Sequence, residues 1–517
     1  MKVCLVNPSG VETTKGSFPH GLIALHAAVK DAGHTVEIFD CCLPGQKISF
    51  EYLNSFDVVG ISVMTTQLLH GVHIAENLDK KVRVVWGGIH CLFDPLSLVN
   101  RFPDHHVIGG EGEAPFVKLL DYFEGKEDFE AIREQKGINF YQDQPVINDP
   151  HFHKHLDKLP DINYYDLPQL EKYISSVPFF IKGSMDVPTL EIVTSRGCVW
   201  DCTFCINTIY KANRAFHRGK SIEKIRREAD PIIRDFDIEA VFPRDEDFFA
   251  NTQLIDPWID YAKEKGFFWG ASARYNYFKP KFITPEKLTT MVDSGLIYLG
   301  MAIEAGEEGI RNKIIEKSLK NEEILKTVED VKASVGDGVL VNTSFIVDFP
   351  GDTFENKVET IKWMDYLSKN LNMILSGPQV YRAYPGTTLY DLEHHEAGDI
   401  DYYLGNTNKN GETEVEMNWS SYFYAYALSY WYNWDTRFYS RPPGSPKLYK
   451  KPIVRKKGLG RFLFQCLLVT IALRIKFNFW KCFYEPPVIG WVWCMVKKAM
   501  DTKLCGPILR KIKYDWA

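Results

Sequence analysis

Short apolar runs alternate with amphipathic stretches over the first 125 residues. The run KVCLVN, residues 2–7, predicts a buried strand that ends in a Pro-Ser-Gly turn. Gly21 begins an amphipathic helix that closes at Gly33, and the apolar runs TVEIFD, FDVVGISVMTT, VRVVWGGIH and HHVIGG follow. Short apolar strands separated by helices predict a parallel sheet covered on both faces. Residues 1–125 are therefore expected to form a Rossmann-like (flavodoxin-like) α/β domain.

Glycine and small polar residues stand at the predicted carboxyl ends of these strands, where such sheets bind their ligands. Glycine lets a large ligand approach the backbone closely. No G-x-G-x-x-G sequence follows the first strand, which argues against a dinucleotide. The strand ends are residues 7–10, 62–66, 87–90 and 109–113.

The same alternation returns over residues 186–395. Apolar runs such as PTLEIVT, IEAVF, FFWGASA and IYLGMAIEAG each precede polar residues and are separated by helical patterns. This predicts a partial or full (β/α) barrel, whose chemistry lies at the C-terminal ends of its strands. Residues 126–185 carry His151, His153 and His155 among prolines, and are expected to be a solvated linker rather than a metal site.

Three cysteines follow the first barrel strand within eight positions, in TSRGCVWDCTFC. An iron–sulfur cubane has four irons, each of which needs a ligand, and thiolates are the usual ones. Cys198, Cys202 and Cys205 can hold three irons and leave the fourth open to a ligand that is not protein. A zinc knuckle with a distant fourth ligand, or three unrelated buried thiols, are the alternatives.

The C-x3-C-x2-C spacing, with Arg196-Gly197 before it and Phe204 between the last two cysteines, resembles the radical SAM superfamily. The series GISVMTT, GGIH and GGEGE resembles the cobalamin-binding domain that precedes many of its members. The resemblance implies a [4Fe-4S] cluster, S-adenosylmethionine (SAM) on its open iron, and cobalamin. A flavodoxin-like domain without a ligand is the alternative for the first 125 residues.

One short sequence bears on whether a histidine ligates the cobalt of cobalamin. DHHVIG fits the D-x-H-x-x-G pattern of some corrinoid proteins, but His106 is expected to begin a late strand instead of following the first one. Since a motif counts only in its structural setting, we expect cobalamin with its own base detached and no histidine on cobalt.

The resemblance also assigns residues to each cofactor, Phe204 among them. Glu304 is expected to contact the ribose or amino group of SAM, for which a carboxylate is suited. Asp245 and Glu246 stand at the position of the family's SAM-amino motif, although this sequence departs from Gly-Gly-Glu and a solvated acidic loop is the alternative. Arg274 is expected to pair with the SAM carboxylate or to form an ordinary barrel salt bridge. The residues assigned to cobalamin are Ser62, Thr65, Thr66, Gly87, Gly88, His90, Gly110 and Glu111.

These cofactors imply a methyltransferase acting on an unactivated carbon. One SAM would methylate cobalamin, and a second would give a 5′-deoxyadenosyl radical that abstracts a substrate hydrogen before the methyl group is transferred. The alternatives are an oxidative cyclase of the Mg-protoporphyrin monomethyl ester cyclase type and a non-enzymatic cobalamin or cluster sensor. A methylthiotransferase normally has a second cluster and a TRAM-like tail, and neither is recognised in this sequence. Tyr381, Arg382 and Tyr384 are expected to face the substrate or to pack the barrel.

Charge separates the tail from the body of the chain. Residues 441–517 contain 17 Lys and Arg against three acids, although the net charge of the 517 residues is −6. The tail, 396–517, is expected to be helical, aromatic and basic. Its longest uncharged run, within 462–473, is too short to cross a bilayer, so the tail is expected to lie on a membrane surface or to cap the barrel. Nucleic acid is not expected without a recognised module.

The N-terminal sequence and the cysteines indicate the cellular compartment. MKVCLVNPSG lacks the pattern of a signal peptide, and unpatterned cysteines suit a reducing compartment. We therefore expect a cytoplasmic protein with an external electron donor of the flavodoxin or ferredoxin type, and peripheral contact with the membrane is the alternative for its tail. The basic, aromatic tail favours a large or apolar small-molecule substrate such as a tetrapyrrole, a polyketide or a lipid.

Overall fold

A computed structural model gives the architecture of the chain. None of its described helices is both long and apolar enough to cross a membrane. Apart from Leu473, the tail beyond residue 405, with its predicted aromatic and basic helices, lies outside the described residues. The structure describes residues 1–10, 17–174, 187–279, 281–371, 373–384, 386–391, 398–405 and 473.

Seven strands form the first sheet, in the order β2-β1-β3-β4-β5-β6-β7. The first five are parallel, as the apolar runs predict, and β6 and β7 extend one edge in antiparallel fashion. Both faces are covered, because alternate residues of one strand enter different cores: Leu5 of β1 packs with α1 and α6, whereas Val6 packs with α3 and α5. The strands are β1 (Lys2–Asn7), β2 (Thr35–Asp40), β3 (Val58–Ser62), β4 (Arg83–Gly87), β5 (His106–Ile108), β6 (Ile138–Gln142) and β7 (Gln144–Val146). The helices are α1 (His20–Asp31), α2 (Phe50–Leu53), α3 (Leu68–Glu76), α4 (Ile89–Phe93), α5 (Pro95–Arg101), α6 (Glu113–Phe123), α7 (Phe129–Arg133) and α8 (Leu170–Ile174).

The segment expected to be a linker, 126–185, contributes to the first domain. It supplies β6 and β7, and its backbone bridges at His151 to Gly110. His151 N donates to Gly109 O at 3.0 Å, and Glu111 N donates to His151 O at 2.7 Å. His151 and His153 are consequently half-buried instead of solvated. The domain boundary at residue 125 is therefore too early, because the polar, proline-rich sequence there concealed an edge strand pair.

Six parallel strands form the second sheet, in the order β15-β14-β13-β12-β11-β8. Consecutive strands alternate with helices, which is the arrangement of an open (β/α) barrel. A separate two-stranded ribbon, β9 with β10, branches off after β8. The strands are β8 (Thr189–Ile192), β9 (Ser195–Arg196), β10 (Arg218–Gly219), β11 (Ala240–Pro243), β12 (Phe268–Ala273), β13 (Leu296–Met301), β14 (Leu340–Val347) and β15 (Ile374–Val380). The helices are α9 (Asn207–Ala212), α10 (Ile222–Asp235), α11 (Thr252–Lys265), α12 (Pro285–Asp293), α13 (Asn321–Val335), α14 (Phe354–Leu371), α15 (Thr388–Asp391) and α16 (Ile400–Gly405).

The chain returns to the first domain after the last barrel strand. Ile400 and Tyr403 of α16 enter the core that is shared by β3, β4, α3 and α5. The hydroxyl of Tyr403 donates to Asp94 Oδ2 at 3.0 Å, and Gly398 N donates to the same oxygen at 2.8 Å. Residues 398–405 thus complete the first domain.

Candidate functional site

The cysteine loop leaves the barrel through a narrow neck. The ribbon pairs Arg196 of β9 with Arg218 of β10, so residues 197–217 project as one loop with joined ends. Gly197 has a φ of +83°, and a Cβ there would lie 3.0 Å from Phe216 O. Only glycine suits this position, because the backbone is left-handed and the opposite chain is close.

Each cysteine has a polar neighbour from the barrel or from its own loop. The thiol of Cys198 donates to Asp247 Oδ2 at 3.4 Å, Arg274 Nη1 donates to Cys202 Sγ at 3.0 Å, and Asn207 Nδ2 donates to Cys205 Sγ at 3.4 Å. All three cysteines are free thiols. The bonds that Arg274 and Asn207 donate to sulfur would stabilise thiolate ligands once a metal is bound. The Cys198 contact instead depends on the thiol proton, which a bound metal displaces.

The three thiols stand further apart than the ligands of a bound zinc ion. Among the described residues, the group of three potential ligand atoms within 4.8 Å of one another is His34, Asp121 and Glu124, so the three Sγ atoms are spread more widely. Zinc with Zn–S bonds of about 2.3 Å would draw its thiolates to about 3.8 Å. Burial raises the pKa of Cys205 to about 11, so the free thiol is protonated and a bound metal must displace its proton.

Aromatic and charged side chains enclose one side of this loop. The guanidinium of Arg274 lies 4.2 Å from the ring centre of Trp200, and its Nη2 donates to Lys317 O at 2.5 Å. Trp200 Nε1 donates to the hydroxyl of Tyr277 at 3.1 Å, and that hydroxyl donates to Asp247 Oδ2 at 2.6 Å. Arg274 therefore contacts the cysteine loop directly, and its pairing with the SAM carboxylate stays a prediction.

Glu304 follows β13 in an unusual backbone conformation. Its φ of +70° is left-handed, and its main chain bridges to Phe345 of β14. The carboxylate accepts from Lys317 Nζ at 2.9 Å, and both side chains are buried. A strained, buried carboxylate at a strand end is typical of a functional site. Phe204 of the cysteine loop packs edge-on against Phe349, with ring centres 5.4 Å apart.

The acidic cluster after β11 splits into three environments. Asp245 Oδ1 accepts from Thr194 N at 2.7 Å and its Oδ2 accepts from the hydroxyls of Thr194 and Ser195, so this carboxylate fixes the chain before the cysteine loop. Glu246 accepts from Gly197 N at 3.3 Å and stays accessible to solvent. Protein surrounds this carboxylate at the boundary between the domains, and the resulting partial desolvation raises the pKa of Glu246 to about 7. Asp247 is the carboxylate that accepts the hydrogen bond from the thiol of Cys198.

A cavity of about 280 Å³ lies between the two domains. Its floor is the carboxyl edge of β1, β3, β4 and β5, and its far wall includes Arg196 and Glu246 of the barrel. Gly88 has a φ of +93°, and a Cβ there would lie 2.7 Å from Val63 N and O, which requires glycine. Of the residues assigned from the sequence, those lining the cavity are Ser62, Gly87, Gly88, Gly110, Glu111 and Glu246.

Three residues assigned to cobalamin, namely Thr65, Thr66 and His90, lie outside the wall of this cavity. His90 is fully buried, between the hydroxyl of Thr65 at 3.1 Å and that of Ser97 at 3.3 Å, and its ring packs edge-on against Tyr403. It stabilises the packing of α4 against α16. Thr66 is half-buried next to Gly10. His106 begins β5, as expected, and packs against Phe123.

Sequence reasoning did not assign several residues of the site. Lys317 follows Glu304 by 13 positions, and nothing local marks it as the partner of a carboxylate. Asp247 and Tyr277 become neighbours only through the barrel. Glu113 was visible in GGEGE, but its partner Arg196 is 83 residues away. The available signal was an acidic residue in a quoted motif, such as Glu113 in GGEGE, that has no basic partner nearby in the sequence.

Comparison with known proteins gives two domain matches. The Radical SAM superfamily profile matches residues 192–364, and the B12 binding domain profile matches residues 13–120. Together they cover the cysteine loop, most of the barrel and most of the first sheet. The domain types expected from the sequence are thereby confirmed.

Whole-chain relatives point the same way. An uncharacterized methyltransferase, PH0819, of Pyrococcus horikoshii is 28% identical over 412 residues, which is 76% of this chain and 83% of that protein. A cytidylyl-2-hydroxyethylphosphonate methyltransferase of Streptomyces wedmorensis is 22% identical over 68% of this chain and 73% of its own length. The solved structure of the radical SAM methyltransferase TsrM of Kitasatospora setae, with cobalamin and a [4Fe-4S] cluster bound, has the same fold, with a TM-score of 0.57 at 16% identity over 75% of this chain and 74% of that one.

Proposed function

The chain is a cobalamin-dependent radical SAM enzyme, because it joins a B12-binding domain to a radical SAM domain, and we propose that it methylates an unactivated carbon of a large or apolar substrate. The methyltransferase relatives support a methyl transfer as the class of reaction. The choice of carbon as the acceptor and of a radical route rests on the three-cysteine loop and on the cavity beside it.

The cofactors supply the bond-breaking chemistry, since a SAM-bound cluster gives a 5′-deoxyadenosyl radical and cobalamin carries a methyl group. Cys198, Cys202 and Cys205 would hold the cluster. Glu304, oriented by its ion pair with Lys317, would accept hydrogen bonds from SAM. A charge-assisted bond of this kind is shorter and stronger than one between neutral groups.

The remaining residues hold the second cofactor and exclude water. Gly87, where a Cβ would meet no atom within 4 Å, leaves the floor of the cavity open to a flat, bulky ring system. Gly88 and Gly110 also line the floor, and glycine is needed there because Val63 and His151 pack closely against them. Ser62 would donate a hydrogen bond at this edge. Glu246 faces the cavity from the barrel side, where desolvation lets it hold or release a proton near neutral pH.

One observation carries the proposal: a single cavity is walled by both domains. Gly87 belongs to the first sheet, whereas Arg196 stands two residues before Cys198. A ligand seated on the first sheet therefore lies beside the neck of the cysteine loop. Two cofactors bound at these neighbouring sites would be able to act on one substrate, as a methyl transfer after hydrogen abstraction requires.

The test follows the methyl group of SAM and needs no known substrate. The protein, reconstituted without oxygen with iron, sulfide and cobalamin, would be reduced and given SAM labelled with ¹³C in its methyl group. A methyltransferase is expected to place label on the bound cobalamin and, with reductant in excess, to release 5′-deoxyadenosine. Release of 5′-deoxyadenosine with no label on cobalamin would contradict the proposal and favour an oxidative cyclase.

The setting proposed with this function is the cytoplasm, with electrons from a donor of the flavodoxin or ferredoxin type. Purified flavodoxin with its reductase, in place of a chemical reductant, would check this part separately. A tetrapyrrole, a polyketide and a lipid are the substrate classes to be tried first.

A further inference from the structure

Two arginines that face each other across the β9–β10 ribbon both reach the first domain. Arg196 Nη2 donates to Glu113 Oε1 at 2.6 Å, and its Nη1 lies 3.5 Å from Glu111 Oε2. Arg218 Nη1 lies 2.9 Å from Glu111 Oε1 and 3.0 Å from Glu111 Oε2. The same Arg218 nitrogen donates to His153 O at 2.7 Å. The neck of the cysteine loop is thus tied to the loop between β5 and α6.

This Glu–Arg network, comprising Glu111, Glu113, His153, Arg196 and Arg218, is withdrawn from solvent. The side chains of both glutamates are 6% exposed and that of Arg218 is 10% exposed. Burial opposes the ionised form of Glu113, but Arg196 and His153 more than offset it and hold the pKa of Glu113 well below its usual range. Charges buried in this way need all of their partners, because removing one leaves another unpaired in a medium of low dielectric constant.

The network is also part of the cofactor cavity. Glu111, Glu113 and Arg196 line it together with Gly110. The first domain fixes the acidic side rigidly, since Gly110 bridges to His151 and His153 N donates to Glu111 Oε2 at 2.7 Å. The arginine side continues directly through Gly197 into Cys198. One set of ion pairs therefore joins the seat of one cofactor to the ligand loop of the other.

We propose that Arg196, Arg218, Glu111 and Glu113 are positioning residues that set the separation of the cluster from cobalamin. The proposal rests on the proposed function for the identity of the two cofactors, and it reassigns Glu111 from a cobalamin contact to this network. The guanidinium of Arg196 reaches two carboxylates from separate nitrogens, which the single ammonium group of lysine does not reproduce.

The test compares Glu113→Gln and Arg196→Lys with Arg226→Gln. Arg226 forms an exposed two-point ion pair with Glu264 on the outside of the barrel, at 3.0 and 2.6 Å, and serves as the matched control. Each full-length protein is reconstituted, and its iron and cobalamin contents are measured. The cluster is then reduced in the presence of cob(II)alamin, and the magnetic dipolar splitting between the two unpaired electrons is recorded by electron paramagnetic resonance.

We expect both network variants to keep more than half of the wild-type iron and cobalamin but to show a broadened or shifted splitting, and Arg226→Gln to match wild type. An unchanged splitting in Glu113→Gln and Arg196→Lys would overturn the proposal. Loss of most of either cofactor in both variants would overturn it too, since it would make these residues binding rather than positioning groups. The measurement needs neither substrate nor turnover, so it remains decisive if methyl transfer itself is not found.

Discussion

Arg274 places a guanidinium nitrogen 3.0 Å from the Sγ of Cys202. The cation is fixed there by the carbonyl of Lys317 and by the face of Trp200, so it is held against the sulfur by the fold. A positive charge and a hydrogen bond at a ligand sulfur both stabilise the reduced cluster.

Arg274→Gln is therefore expected to lower the reduction potential of the cluster by tens of millivolts while leaving iron content near wild type. A redox titration followed by electron paramagnetic resonance measures the shift. Arg214→Gln, which removes an exposed cation of the same loop, is the control. Equal potentials for all three proteins would exclude a tuning role for Arg274.

Cys202→Ala is expected to abolish SAM cleavage, because two thiolates do not retain a cubane with one open iron. Iron analysis and the visible absorbance of the reconstituted protein measure the loss of the cluster. Cys41→Ala alters a half-buried thiol of the first domain and should change neither quantity. Radical cleavage of SAM by the Cys202 variant would refute the cluster.

Glu304→Gln is expected to weaken SAM binding about tenfold or more, since a hydrogen bond to a charged group contributes about 1.5–3 kcal/mol. Iron content should stay unchanged, because the carboxylate of Glu304 is hydrogen-bonded to Lys317 and is not one of the three proposed iron ligands. Anaerobic equilibrium binding gives the dissociation constant, with the exposed Glu322→Gln as control. Unaltered affinity would remove Glu304 from the SAM site.

Gly87→Val is expected to exclude cobalamin and spare the cluster. A Cβ at Gly87 meets no atom within 4 Å, so the new side chain enters free space at the cavity wall without straining the backbone. Gly88 is less suitable, because a side chain there would collide with Val63. Gly338→Val, also free of contacts, controls for the substitution itself. Cobalamin retained at the wild-type ratio would place the corrin elsewhere.

Glu113 should give the protein a distinct dependence on pH. The pKa of Glu113 in the folded protein lies below the ordinary 4.5. Its ionised form therefore contributes its full stabilisation at every pH above about 4.5, and this contribution is lost progressively as the pH falls below about 4.5. Glu113→Gln should cost on the order of 3 kcal/mol between pH 5 and 8. Denaturant unfolding of both proteins should show this difference shrinking below about pH 4.5. A difference that is independent of pH would mean that packing, not charge, is lost.

Local pattern predicted the strands and the cysteines because both depend on neighbouring residues. The runs at β1, β3 and β4 are apolar and end in glycine or polar turns, and the three cysteines share one loop. Glu304 was placed by its motif, but its left-handed φ and its bond to Lys317 depend on β14. The assignment of His90 to cobalamin failed to foresee that α16 would bury it. Contacts across 83 or 304 residues, as in Glu113 with Arg196 or Asp94 with Gly398, leave no periodic trace.

The return of α16 means that the corrin domain is discontinuous in sequence. A fragment ending near residue 125 or 185 would lack Ile400 and Tyr403, exposing apolar surface on β3, β4, α3 and α5. During synthesis this core gains Ile400 and Tyr403 only after residue 403 has left the ribosome. Truncation experiments designed on the linear domain order would therefore produce an unfinished protein, and a minimal autonomous unit has to include both ends of this span.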